Sequence, residues 1–191
     1  MEYESQSLSW PAVLASWLVG PVEHVGSTAI PGLVAKPIID LQAPVRVLTD
    51  VSSIVAALNP HAWHFVDPAL DQRPWRRFFV KVIGGKRSAH LHVMTANSRR
   101  WCEQLAFRDA LRGDPALVAQ YAEMKRALAT AHRDNREAYS AAKTEFVRSV
   151  VRASREMAQG DLCDDAVLNR FSGTRTARHA LYSLVAASAL K

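Results

Sequence analysis

The chain of 191 residues has no apolar run that approaches the roughly 18 residues a membrane-spanning helix needs. A protein embedded through such helices is therefore not expected. Its first residues, Met1–Ser5, carry two glutamates where a secretory leader carries a basic segment. Cysteine is scarce. Cys102 and Cys163 are too few for a disulfide framework, and neither belongs to a C-x-x-C pair. Glycine (8) and proline (9) are present at ordinary levels, which excludes collagen-like, low-complexity and extensively disordered chains. These absences predict a cytoplasmic protein. With 49% hydrophobic residues, the chain can bury a core without covalent or metal staples. Its length suits one domain, expected over residues 1–160, with a short helical extension over 161–191.

Acidic residues are missing from one stretch in particular. Residues 73–100 contain Arg73, Arg76, Arg77, Lys81, Lys86, Arg87, Arg99 and Arg100, and no Asp or Glu. That segment carries +8, which leaves −2 for the rest of a chain whose net charge is +6. Such a concentration points to an anionic partner: a nucleotide, a phosphorylated metabolite or nucleic acid. A solvated hairpin with its arginines in water is the plainer explanation.

The pattern predicts an α/β first half and a helical second half. A helix is expected over Ser7–Val19, stopped by Gly20-Pro21, and a short apolar run over Val22–Val25 leads into the Gly26-Ser27-Thr28 turn. Pro37–Ala43 reads as a strand, with Ile38, Asp40 and Gln42 on one face. Thr49 is placed to cap a helix through Leu58. Strands follow at Ala62–Val66, Arg76–Ile83 and Ser88–Met94, the last two joined by a slightly long Gly84-Gly85 loop. Asn97 or Ser98 caps a helix through Arg112, and Asp114-Pro115 is an N-cap followed by proline at the first helical position. Asp134 and Glu137 have capping-box spacing, and that last helix is expected to end at Gly160.

The densest chemistry lies between Glu23 and Asp40. A Gly-Ser turn after a strand lets the backbone approach a phosphate closely, because glycine has no Cβ. The Ser27 and Thr28 hydroxyls and successive N–H groups can then bind its oxygens, and Lys36 can add a charge. Asp40 sits mid-strand, fourteen residues after Gly26. A carboxylate there needs a partner, a metal or a cleft. His90 and His92 are two apart on a strand and project to one side. With Asp40 they can form a metal site, better suited to Zn, Mn or Fe than to Mg. They can equally donate to phosphate, act as general bases or be ordinary sheet histidines. Arg77, Phe79 and Lys81 share one strand face, and both cations are candidates for phosphate binding. Arg108 can reach the same cleft or form a structural ion pair. Lys125 and Lys143 interrupt buried stripes, as lysine stems covering apolar surface do. Trp63 and Trp75 read as core.

Four segments together resemble the GrpB-like family: EHVGSTAIPGLVAKPIIDL from residue 23, HLHVM at 90–94, FRDALRGDP at 107–115 and YAEMKRALA at 121–129. The resemblance covers roughly residues 8–157. The family is similar to the nucleotidyltransferase superfamily and also occurs fused to dephospho-CoA kinases. The resemblance implies an α+β fold: a nucleotidyltransferase-like mixed sheet flanked by helices, with a helical C-terminal half. It also implies a Gly-Ser turn against a triphosphate, two carboxylates two apart on one strand, a third on a neighbouring strand, and a divalent metal, Mg or Mn, held between them. Gly26 and Ser27 match the turn and Asp40 the first carboxylate. Gln42 stands where the second would be, and no third is evident.

Two functions are weighed. One is an enzyme that binds a nucleoside triphosphate and transfers a nucleotidyl group to a small acceptor, with Asp40 and His92 catalytic and Asp40, His90 and His92 as metal ligands. The other is a non-catalytic module for a nucleotide or CoA-like phosphate, which Gln42 favours. Nucleic-acid binding ranks last, because no base-reading motif accompanies the charge.

Overall fold

The computed structural model describes residues 10–48 and 51–158. The 161–191 extension, the capping role of Thr49 and the helix stop at Gly160 lie outside them. Among the described residues the sheet has five strands: β1 (Glu23–Val25), β2 (Ile39–Val45), β3 (Trp63–Val66), β4 (Arg76–Ile83) and β5 (Lys86–Thr95). Their order is β1-β2-β5-β4-β3. Only β2 and β5 are parallel; the other pairs are antiparallel. The helices are α1 (Trp10–Val13), α2 (Ser52–Leu58), α3 (Pro68–Asp71), α4 (Arg99–Gly113), α5 (Pro115–Ala131) and α6 (Arg136–Ala158). This is the α+β arrangement the sequence predicts, a mixed sheet flanked by helices with a helical second half.

The two sheet faces have different tasks. Leu41, Ala43 and Val45 of β2 share one face with Leu91, Val93 and Phe79, and Leu14, Ile54, Leu58 and Trp63 close over them as the main core. Trp63 is buried there, as expected of it. The opposite face carries Asp40, Gln42, His90 and His92, because successive strand side chains alternate. Helix α4 crosses this second face, and Trp101, Cys102 and Leu105 pack on Val25 and Met94. Tyr121, Leu111, Ile30 and Leu33 form a further cluster where α4 meets α5 and the loop after β1.

Local chemistry explains most element ends. Ser98 caps α4 by accepting from the Trp101 N–H, and Asp114 caps α5 by accepting from the N–H groups of Ala116 and Leu117. Asn135, rather than the Asp134–Glu137 box, caps α6 through the Ala138 N–H. The 84–85 loop is a tight two-residue hairpin turn, since both glycines take positive φ (+56° and +74°). Strand β2 continues through Pro44 to Val45. Its pairing with β1 ends at Gln42, and beyond it the Pro44 carbonyl accepts from the Val19 N–H, a contact that asks no N–H of proline. The first helix ends at Val13, before the expected stop at Gly20-Pro21. After Val13 the chain turns, and Leu18 bridges to Val45.

Candidate functional site

Parallel pairing of β2 with β5 sets Asp40 beside His90 and Gln42 beside His92. The Asp40 Oδ1 lies 2.9 Å from His90 Nδ1 and 3.9 Å from His92 Nε2. The other oxygen, Oδ2, faces Gly26. A Cβ at position 26 would stand 2.4 Å from it, and Gly26 has φ +72°. Glycine is thus required twice over, for space and for backbone conformation. The turn and the carboxylate that the sequence singles out are in direct contact.

Behind His92 lies a buried ion pair. Arg76 and Asp71 are 7% and 8% exposed. The guanidinium donates to Asp71 from Nε (2.8 Å) and Nη2 (2.5 Å), and its Nη1 meets His92 Nδ1. Arginine has no acceptor, so His92 Nδ1 accepts this bond and its proton sits on Nε2, toward Asp40. Burial by itself pushes the Asp40 carboxyl up. The hydrogen bond from His90 and the attraction of the nearby His92, aided by the charge of both rings, outweigh that and hold it well below the usual carboxylate range. Burial pushes His92 down, against the attraction of Asp40, with the Arg76 charge acting in the same direction as burial.

This cluster does not suit a resident divalent metal. Among the described residues no three His, Cys, Asp or Glu side chains are grouped to hold one. His92 presents a protonated nitrogen toward Asp40, with a permanent cation on its other side. Asp40, His90 and His92, the set expected from the sequence to hold a divalent metal, do not form such a group among the described residues, and Gln42 adds no charge to them. Gln42 is fully buried, and among the described residues neither its Nε2 nor its Oε1 has a hydrogen-bond partner.

Asp40, His92 and Gly26 open onto a cleft of about 840 Å³ between the sheet and helices α4 and α6. Its helical wall carries Arg99, Arg100, Lys143, Arg148, Arg152 and Arg155, against the carboxylates of Glu103 and Asp40. Among the described residues Arg148 and Arg152 have no carboxylate partner. At one end of the wall Lys143 lies 6.0 Å from the centre of the Tyr121 ring, and Lys125 lies 5.5 Å from it. The Lys125 Nζ donates to Ser27 Oγ and to the Val34 carbonyl, both at 3.0 Å.

The other residues predicted for the site are dispersed. Arg77 and Lys81 pair across the sheet with Val93 and Ala89, on the core face opposite Asp40. Arg77 donates to the Leu48 carbonyl, and Lys81 lies 5.6 Å from the Trp63 ring centre. Their convergence with Asp40 is corrected, and strand parity is the reason. Arg108 is 8% exposed and committed to Glu23 (2.6 Å) and Asp109 (2.8 Å); it ties α4 to β1 instead of reaching a phosphate. Thr28 bonds to His24 and to the Ile38 carbonyl. Lys36 is exposed and does not line the cleft.

Sequence reasoning missed Arg76 with Asp71, Lys125 at Ser27, and the arginines of α6. The α6 stripe was detectable. Arg148, Arg152 and Arg155 recur at helical spacing beside Val147 and Val151, with no acidic residue four positions from Arg148 or Arg152 except Glu156. Asp71 and Arg76 gave no such signal, because α3 and its turn alone bring them together.

Residues 2–153 match the family described as GrpB protein. The chain is 41% identical over 134 residues to UPF0157 protein PA4798 of Pseudomonas aeruginosa, covering 68% of this chain and 53% of that protein. It is 31% identical to UPF0157 protein YqkA of Bacillus subtilis, covering 73% of this chain and 40% of that protein. It thus spans about half the length, or less, of these two relatives. The crystal structure of conserved protein GrpB from Enterococcus faecalis superposes with a TM-score of 0.67 at 30% identity, covering 83% of this chain and 92% of that one. Family match, relatives and solved structure agree: the chain belongs to the GrpB protein family.

Proposed function

We propose that the cleft binds a nucleoside triphosphate or a related phosphorylated small molecule, and that the protein acts chiefly as a binding module. The observation that carries this reading is the charge of the wall: six cationic side chains face the cleft against two carboxylates. Phosphate oxygens are the strongest common partners of guanidinium groups. The volume of about 840 Å³ falls within the range of small-molecule sites.

Transfer of the nucleotidyl group to a small acceptor, with release of pyrophosphate, is the second reading. The presence of Asp40 in the cleft favours it. Against it, a carboxylate held below its usual range is a weak base at neutral pH, and the surrounding residues do not form a metal site. Asp40 serves better to orient His90 and His92 than to take a proton. Nucleic-acid binding is weaker still, because the basic 73–100 stretch is divided between the two sheet faces.

Calorimetry with ATP, ADP and CoA, with and without Mg²⁺, tests the proposal. The expected result is nucleotide binding that persists without metal. Paired Arg148→Gln and Arg152→Gln changes should weaken it roughly tenfold or more, about 1.4 kcal/mol. Absence of binding to all three ligands by the folded chain would refute it. Pyrophosphate release in the presence of an acceptor would establish the second reading.

A further inference from the structure

The cations of the cleft fall into two groups. Lys143 belongs to one end, with Lys125, Tyr121 and Ser27. Arg155 belongs to the other, with Arg99, Arg100 and Glu103. Twelve residues of α6 separate Lys143 from Arg155, which is about 18 Å of helix rise. A single triphosphate does not bridge that distance, so the second group needs its own account.

At that far end the three guanidiniums converge on one carboxylate. The Glu103 Oε1 accepts from Arg99 Nε at 2.9 Å and lies 3.4 Å from Arg155 Nη2, and its Oε2 accepts from Arg100 Nη1 at 3.2 Å. The Glu103 side chain is only 16% exposed, whereas those of Arg99 and Arg100 are 80% and 45% exposed. The Arg155 Nε is buried with no hydrogen-bond partner among the described residues. Arg152, with no carboxylate partner among the described residues, lines the same cleft. Even with Arg99 left aside, Arg100 and Arg155 share one carboxylate beside Arg152 among the described residues, which leaves a surplus of positive charge and, at Arg155 Nε, one unused buried donor. Such an excess suits an oxyanion with more charge and more acceptor oxygens than a carboxylate has.

We propose that Arg99, Arg100 and Arg155 form a second phosphate subsite of the cleft, and that Glu103 is its resident anion and sets its selectivity. A phosphate group entering there shares the guanidiniums with Glu103 or displaces its carboxylate from them. The ligand class that follows is a phosphorylated molecule long enough to reach this end of the cleft. Glu103 penalises bare inorganic anions, which gain no other contacts to offset its repulsion. This inference rests on the reading of the cleft as a phosphate-binding site.

The test is calorimetry with inorganic pyrophosphate and, separately, ATP, at fixed ionic strength, on the full chain and its Glu103→Gln, Arg155→Gln and double variants, with circular dichroism to establish folding. Glu103→Gln is expected to bind pyrophosphate about tenfold more tightly than the unaltered chain. Arg155→Gln is expected to bind it more weakly, and the double variant should lie between the two single variants. If Glu103→Gln does not fold, Arg155→Gln alone decides. Unchanged pyrophosphate affinity in the single variants, while ATP still binds the unaltered chain, overturns the subsite and leaves the nucleotide reading standing. Gain of pyrophosphate binding by Glu103→Gln with no ATP binding by any variant supports the subsite and removes the nucleotide reading. No binding of either ligand by any folded variant overturns both.

Discussion

Oδ2 of Asp40 rests against the backbone of Gly26, so closely that a methyl group at residue 26 would stand 2.4 Å away. Two positions fourteen residues apart in the chain thereby form one structural unit at the floor of the cleft. Gly26→Ala must both adopt φ +72° and push the carboxylate off His90. A loss of about 1–3 kcal/mol of stability is expected, together with weakened ligand binding. Urea denaturation and calorimetry on the same sample check both effects.

Breaking the Asp71–Arg76 pair should be costly. Asp71→Asn leaves a buried guanidinium without its counter-charge, and a destabilisation of roughly 3–5 kcal/mol is expected. Replacing both by apolar residues, Asp71→Leu with Arg76→Met, should cost less than Asp71→Asn alone. It should also release His92 from a single tautomer. Nitrogen NMR of the His92 ring reads the second effect: the Nε2–H form should dominate in the unaltered chain and lose that dominance in the double variant.

Gln42 buries an amide that has no hydrogen-bond partner among the described residues. Gln42→Met keeps the volume and removes the unsatisfied groups, so a gain of about 1 kcal/mol is expected. Gln42→Glu puts a carboxylate in a fully buried position. It should destabilise the fold and create no metal-dependent activity. Thermal unfolding and metal titration of the two variants decide.

Stability should depend on pH through the buried histidines. Burial lowers His24 and His92 below their ordinary 6.5. The unfolded chain therefore binds protons first as pH falls, and the fold loses stability from about that pH down to the depressed folded values. Asp40 adds a second loss. Its contribution is complete above the ordinary 3.8 and disappears as pH falls toward its lowered folded value. Urea midpoints measured from pH 7.5 to 4 should decline below pH 6.5, and His92→Gln should flatten that decline. A midpoint that stays level from pH 7 to 5 in the unaltered chain would contradict the burial assigned to both rings.

Much of the site was legible in particular residues. The Gly26-Ser27 turn, Asp40 in the middle of its strand and the His90–His92 pair could be read directly, because period-2 alternation and the conformational needs of glycine are local. The same parity rule, applied one strand further, would have set Arg77 and Lys81 against Arg76. The neighbour nearer in sequence to the turn, and not the two more prominent cations, faces the histidines. Register between strands was needed to see it.

The sequence by itself determined the main strands and long helices, the Ser98 and Asp114 caps and the α+β class, since these follow from backbone preference and the spacing of apolar residues along a single chain, and its four motif segments carried the resemblance to the family. Only the tertiary structure decided which charges meet. Arg108 is spent on Glu23, Lys125 reaches Ser27 from ninety-eight residues away, and α6 brings its arginines over the cleft. Electrostatic partners are chosen by distance in space, and distance in space is fixed by packing.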